Sequence, residues 1–201
     1  YYTPGVCSQA VHIALSEIGA DFTLEKVDLA TKTTESGEDF SKINPLGYVP
    51  ALELDGGDVL LEAPAILQYL ADMKPESKLA PAAGTMERVK LQQHLNFTAS
   101  ELHKSFGPFF AAVKPEGAAR DQAMTKLQRR FDALEALLAD GRDYAMGETF
   151  TVADTYMFVV ASWSGIIGLD LAPWPNVQKF VARVAARPRV QDVLKREGLL
   201  N

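Results

Sequence analysis

Val49-Pro50-Ala51-Leu52-Glu53-Leu54-Asp55-Gly56-Gly57-Asp58-Val59-Leu60-Leu61-Glu62-Ala63-Pro64 is the stretch on which the fold turns. Two β-prone runs, Ala51 to Leu54 and Val59 to Leu61, flank Asp55-Gly56-Gly57-Asp58. Glycines supply the positive φ that tight turns need, so the segment predicts a β-hairpin. Pro50 cannot donate to a ladder and therefore marks an edge or a special turn. The Val49–Pro50 bond is either an ordinary trans bond opening a strand or a cis bond. A cis turn would offer the Val49 N–H and C=O to a peptide-like ligand. After the hairpin, Ala65, Ile66, Tyr69 and Leu70 recur at helical spacing, with Pro64 placed for a first helical turn.

Working toward the N-terminus, Phe22 to Leu29 carries β-formers and predicts a strand, and Thr31 to Asp39 a polar loop with room for one helical turn. From Cys7 to Gly19, Val11, Ala14, Leu15 and Ile18 mark a helix that Gly19 stops. Tyr1-Tyr2-Thr3 is β-prone and ends at the Pro4-Gly5 turn, so the chain opens on a strand already under way. The order β-α-β, then β-β-α, makes residues 1–74 a small mixed sheet with helices on its faces.

Pro75, Pro81 and Gly84 punctuate residues 75–84, which read as a linker. Residues 85–201 are helical throughout: Thr85 to about Phe110, Glu116 to Leu138, Val152 to Ile167, Val177 to Ala186 and Val190 to Glu197. Thr151-Val152-Ala153-Asp154 has the form of a capping box directly before an apolar run.

The 201 residues carry a formal net charge of −6 and no basic run longer than Arg129-Arg130, which argues against nucleic acid as a partner. No stretch approaches the roughly 18 apolar residues of a membrane helix, and no basic-then-apolar leader opens the chain. With a single cysteine, these features point to the cytoplasm. No His, Cys, Asp or Glu cluster has metal-ligand spacing, so no metal is expected.

Cys7 stands after a turn and at a helix start, where N–H groups and the helix dipole lower a thiol's pKa toward a reactive thiolate. The competing reading is a buried small hydrophobe. Ala10 occupies the second position of a Cys-x-x-Cys spacing, which excludes dithiol exchange and leaves monothiol chemistry. Glu62-Ala63 precedes a helix start suited to an amino-acid zwitterion, with backbone N–H for its carboxylate and Glu62 for its ammonium; an acidic residue favoured by the dipole is the plainer explanation. Asn96, Ser100 and His103, with Lys104 adjacent, form one polar stripe of a long helix, either a solvated face or a wet cleft or subunit interface. His12 and His94 read as structural.

Taken together, these segments resemble one family. Tyr1-Tyr2-Thr3-Pro4-Gly5-Val6-Cys7-Ser8 is similar to the opening of bacterial beta-class glutathione transferases. Asn44-Pro45-Leu46-Gly47-Tyr48-Val49-Pro50-Ala51-Leu52 resembles the family's N-P-x-G-x-V-P-x-L segment, and Glu62 to Leu70 its ligand-carboxylate turn and helix. Asn96 to Lys104 looks like the beta-class signature, and Pro175 to Val190 follows the family's closing pattern.

The resemblance implies an α/β thioredoxin-like N-terminal domain, an all-α C-terminal domain and a homodimer. It implies a cis Pro50, Val49 pairing with the cysteinyl part of glutathione, and Cys7 beside the glutathione sulfur. Lys32 would reach the glycyl carboxylate, and Glu62 with Ala63 the γ-glutamyl end. Asn96 and the run Ser100, Glu101, Leu102, His103 and Lys104 would line the site, partly from across the dimer. Serine commonly stands where this chain has Ala63, so only backbone donors remain there.

The activity so implied is transfer of the glutathione thiolate, favoured by the helix start, Cys7, Ser8 and His103, to a hydrophobic electrophile. Phe106, Phe109, Phe110 and Trp163 either line its pocket or belong to the core. A Cys7–glutathione mixed disulfide would add thiol-transferase or peroxidase activity. Dehalogenation or isomerisation with glutathione, and a non-enzymatic binding protein on the same scaffold, are the other readings.

Overall fold

In the computed structural model, which describes residues 1–200, Tyr2 runs parallel to Lys26. Tyr2 N–H donates to Glu25 O at 3.0 Å and Val27 N–H to Tyr2 O at 2.8 Å. On the other side the Tyr1 backbone nitrogen donates to Ala51 O at 2.9 Å. Tyr1 to Thr3 thus lies between β1 (Val27–Asp28) and β3 (Ala51–Glu53). β1 pairs antiparallel with β2 (Thr33–Thr34), and β3 with β4 (Val59–Leu61). The expected hairpin forms with Leu52 opposite Leu60, and Gly57 turns it at φ +86°.

Two expectations need correction. Regular strand structure over Phe22 to Leu29 is confined to Val27–Asp28, the two residues that find a ladder partner in β2, with an isolated bridge from Lys26 to Tyr2 before them. Between Thr31 and Asp39 the β-branched pair Thr33-Thr34 forms β2, and the helical turn comes later, at Phe40–Lys42. Asp39 caps that turn by accepting from Ser41 N–H at 3.0 Å.

α1 (Ser8–Glu17) ends at Gly19, whose φ of +61° closes the helix at C′. Its fully buried Ala10, Ile13 and Ala14 face α2 (Ala63–Met73) and two helices from the second half. That half contains α3 (Met86–Phe97), a π-helical segment (Thr98–His103), α4 (Lys104–Phe110) and α5 (Gly117–Leu137). α6 (Val152–Ile167), α7 (Pro175–Ala185) and α8 (Pro188–Arg196) complete it, the last two with proline in the first turn. α6 is buried on every side from Val152 to Ala161, as a helix apolar all round must be.

The capping box at Thr151 and Asp154 forms. Asp154 accepts from Thr151 N–H at 2.8 Å and also from Ala145 N–H at 2.7 Å, fastening the preceding loop to the helix start. Within residues 75–84, Leu79 is buried and its carbonyl accepts Val152 N–H at 2.9 Å, so this segment packs against the start of α6. No described helix is long and apolar enough to cross a membrane.

Candidate functional site

Cys7 occupies the N-cap of α1, and its S–H donates to Val49 O across 3.1 Å. The Val49–Pro50 bond is cis. Desolvation dominates the thiol's ionisation and pushes it up to about 11; Glu62 adds to this, while the Cys7 and Ser8 N–H groups and Lys104 pull the other way. The expectation of a thiolate lowered by the helix start is therefore corrected. The helix contribution is present, but burial outweighs it, and at neutral pH Cys7 is a hydrogen-bond donor.

Ser8, expected beside Cys7 in the chemistry, is bonded within the same turn. Its buried hydroxyl donates to Thr3 O at 3.1 Å and accepts from Thr3 N–H at 3.2 Å. Its donor and one of its two acceptor positions brace the turn that delivers Cys7.

Lys32 lies across the loop leading to Pro50. Its Nζ donates to Gly47 O at 2.6 Å, and a Cβ at Gly47 would come within 3.0 Å of the Lys32 Cε. Gly47 also has φ +66°, so the backbone conformation favours glycine there, and a side chain would in addition displace the end of Lys32. Glu62 is exposed with φ +67° and ψ 111°, a conformation that costs a non-glycine residue about 1–3 kcal/mol. Ala65 and Ile66 N–H both turn back to Glu62 O at 3.0 Å, and Pro64 has no N–H. Ala63 N–H is therefore the donor left at this helix start, fewer than the sequence suggested.

The polar stripe of the long helix divides. Leu102 is fully buried in the core, and Glu101 is held by Arg130 of α5 at 2.5 Å, so neither side chain joins Cys7. Asn96 and Ser100 are exposed, linked by a 2.8 Å bond from the Ser100 hydroxyl to the Asn96 carbonyl. His103 and Lys104 turn toward the thiol half. Lys104 lies close enough to Cys7 to favour its thiolate, and His103 packs edge-on to Trp163 with centroids 4.8 Å apart. His103 Nδ1 meets Tyr156 OH at 2.9 Å. Desolvation, then Lys104, lowers His103 to about 4, so it is a neutral imidazole at pH 7. Tyr156, whose ionisation burial pushes well above the ordinary phenol value, donates to it. The π-helical widening at Thr98–His103 shifts His103 and Lys104 out of simple α register, a device frequent at functional sites.

Two residues whose contact with the site sequence reasoning missed hold the Pro4-Gly5 turn. Trp163 Nε1–H donates to Gly5 O at 2.8 Å, and Gly5 N–H donates to Glu197 Oε2 at 2.9 Å. The buried Glu197 also accepts from Gln9 Nε2 at 2.8 Å and pairs with His12 Nδ1 at 2.8 Å. A carboxylate only accepts, so the fitting tautomer carries its proton on Nδ1 and leaves His12 Nε2 buried without a partner. No local pattern could have revealed these contacts, which span more than 150 positions.

Among the aromatics named as possible pocket residues, Phe106, Phe109 and Trp163 belong to the buried core. Phe110 alone is open, 46% exposed, and its ring stands edge-on to Trp163 at 5.5 Å. Among the described residues no group of His, Cys, Asp and Glu is assembled to hold a metal.

A sheet-bearing half with its thiol at a helix start and a cis proline opposite is thioredoxin-like, and an all-helical half closes over it. Comparison with known proteins gives that architecture its family. A family model described as the glutathione S-transferase N-terminal domain matches residues 5–73, and one described as the C-terminal domain matches residues 97–188. The chain is 42% identical to glutathione S-transferase GstA of Escherichia coli O157:H7, covering 99% of this chain and 98% of that protein. Its structure superimposes on that of BphK, a bacterial transferase solved as a ternary complex, with TM-score 0.95 and 48% identity, covering 99% and 98% of the two chains. The beta-class enzyme of Sphingomonas chungbukensis superimposes with TM-score 0.94 at 46% identity, again over 99% and 98%. The chain belongs to the glutathione S-transferase family.

Proposed function

We propose that the protein joins the sulfur of glutathione to hydrophobic electrophiles, and that Cys7 serves this reaction chiefly as a hydrogen-bond donor. The observation that carries the reading is the 3.1 Å bond from Cys7 S–H to Val49 O. A thiol held neutral at the mouth of a peptide-binding turn is poised to transfer that hydrogen bond to an incoming sulfur anion. A sphingomonad relative, 47% identical, was solved complexed with glutathione. Here glutathione would pair with the Val49 backbone, set its glycyl carboxylate against Lys32 and its γ-glutamyl end against Glu62 and the Ala63 N–H. Asn96, Ser100 and Lys104 complete the site, and His103 borders it as a neutral polar wall.

In the reaction the thiol of glutathione loses its proton to water and its sulfur attacks the electrophilic carbon. With an aryl chloride, the C–S bond forms, the C–Cl bond breaks and chloride leaves with its electron pair. The protein contributes orientation and a larger thiolate fraction at neutral pH.

A side activity follows from the same thiol. A Cys7 thiolate attacking oxidised glutathione would form a mixed disulfide and release one glutathione thiolate. With Cys7 at about 11, this route is slow beside conjugation. Residues 1–74 form the glutathione-binding domain in this reading, 75–84 the linker and 85–201 the helical domain. The protein works in the cytoplasm as a homodimer, for which exposed Tyr69 and Met73 on α2 and Met86 and Val89 on α3 offer an apolar face.

The test is conjugation of glutathione to a generic aromatic halide, run beside intact mass after incubation with oxidised glutathione, for wild type and Cys7→Ala. Wild-type turnover that falls but survives in Cys7→Ala, with the mass adduct abolished, supports the donor role. Absence of wild-type turnover in folded, dimeric protein would sink the enzymatic reading.

A further inference from the structure

Tyr156, in the middle of α6, is only 3% exposed, and among the described residues its hydroxyl has one hydrogen-bond partner, His103 Nδ1 at 2.9 Å. A phenol has a single proton to give. If Nδ1 carried the imidazole proton, the phenol would have to accept it and leave its own proton without a partner in a buried site. Stranding a buried donor disfavours that arrangement about tenfold. The neutral imidazole therefore accepts at Nδ1 and carries its proton on Nε2.

Nε2 is the nitrogen left for chemistry. It has no partner within the chain and, unlike His12 Nε2, it is not sealed from solvent. Its surroundings belong to the thiol site. The His103 ring packs on Trp163, which holds Gly5, and the next residue, Lys104, is close enough to Cys7 to favour its thiolate. Tyr156 in turn feels the charges of Cys7 and Glu62. A ring nitrogen that already bears its proton has no lone pair to take another. In this tautomer His103 is no base for the thiol of glutathione; what it offers is an N–H.

We propose that Tyr156 is a positioning residue for conjugation: its buried hydroxyl fixes His103 in the Nε2–H form, and that N–H is donated to the sulfur of bound glutathione as its proton leaves for water. This rests on the conjugation reading given above. The imidazole N–H joins the Cys7 S–H as a second donor to the same anion.

The experiment has two readouts on wild type, Tyr156→Phe, His103→Ala and the double variant. Nitrogen NMR of histidine-labelled protein at neutral pH tells a protonated ring nitrogen from a bare one, and His103→Ala identifies the His103 signals among the three histidines. Wild type should show one tautomer, protonated on Nε2, and Tyr156→Phe a mixture. The second readout is ionisation of enzyme-bound glutathione, followed by the thiolate's ultraviolet absorbance against pH. Losing the donor in His103→Ala should raise its pKa by about one unit, which is about tenfold less thiolate at neutral pH. Tyr156→Phe should show part of that rise, and the double variant no more than His103→Ala alone. A wild-type His103 protonated on Nδ1, or a Tyr156→Phe effect that adds in full to that of His103→Ala, overturns the assignment. The first of these is read on wild type and does not depend on how the variants fold. A wild type with the expected tautomer but no thiolate band in the presence of glutathione instead strikes the conjugation reading itself.

Discussion

Trp163 donates its indole N–H to the carbonyl of Gly5 across 2.8 Å, from near the end of α6 to the turn just before the thiol. Trp163 is only 5% exposed, so the bond is made away from bulk water. With Glu197 taking the Gly5 N–H, both backbone groups of one peptide residue are fixed by the helical half. Trp163→Phe keeps an aromatic ring but strands the carbonyl, a loss of about 1–3 kcal/mol in unfolding free energy. Urea titration at constant slope measures it. An unshifted midpoint would mean the carbonyl finds another donor and the clamp is dispensable.

Glu197→Ala should cost more. It leaves Gly5 N–H, Gln9 Nε2 and His12 Nδ1 without their shared acceptor in a buried site. Each buried donor left without an acceptor costs about 1–3 kcal/mol, and three are left at once. The same variant should also lower kcat for conjugation, since the turn that positions Cys7 loosens. Thermal unfolding and steady-state kinetics would reveal either loss separately.

Cys7 should alkylate slowly at neutral pH. With its thiol at about 11, the rate with iodoacetamide climbs about tenfold per pH unit from neutrality and levels only near that value. Lys104→Met removes the one nearby cation that favours the thiolate and should move the midpoint upward. A plateau already reached near pH 8 would contradict the dominance of burial at this site.

His103 links stability to acidity. Its folded pKa of about 4 lies below the ordinary 6.5, so as pH falls through that window the unfolded chain takes up a proton that the folded one refuses. Stability is therefore lost on acidification from about 6.5 to about 4, by up to about 3 kcal/mol. Comparing urea midpoints across this range for wild type and His103→Gln isolates the contribution, which the variant should lack.

Asp154→Ala removes the acceptor for Thr151 N–H, Ala145 N–H and the Thr151 hydroxyl, all buried. A loss of about 3 kcal/mol is expected, with lowered yield of folded protein rather than altered kinetics in what remains folded. Circular dichroism on heating, with activity normalised to folded protein, distinguishes the two effects.

What was legible in the sequence was local. The Asp55-Gly56-Gly57-Asp58 hairpin, the stop at Gly19 and the box at Thr151 each depend on neighbours a few positions away. The strand expected over Phe22 to Leu29 shrank because only Val27 and Asp28 find a ladder partner, and which residues a strand pairs with is set by the fold. The ionisation of Cys7 was misjudged for a related reason. A helix start can be read from sequence, whereas burial under distant elements cannot. Ser8 reads in sequence as a neighbour of the thiol, and its bonds to Thr3 appear only in the fold. Glu197 sat unremarked at the end of a helix, and only the fold brings it to Gly5.

The Gly5 clamp also sets which pieces of this enzyme can be exchanged. The residues matched as the N-terminal domain end at position 73, yet the turn they contain is held in place by positions 163 and 197. A chimera that borrows its first half from a relative keeps this clamp only where its second half supplies the same indole donor and carboxylate acceptor. The heritable unit of this active site is therefore discontinuous, and a crossover between the halves succeeds only if the tryptophan and the glutamate travel with the loop they hold.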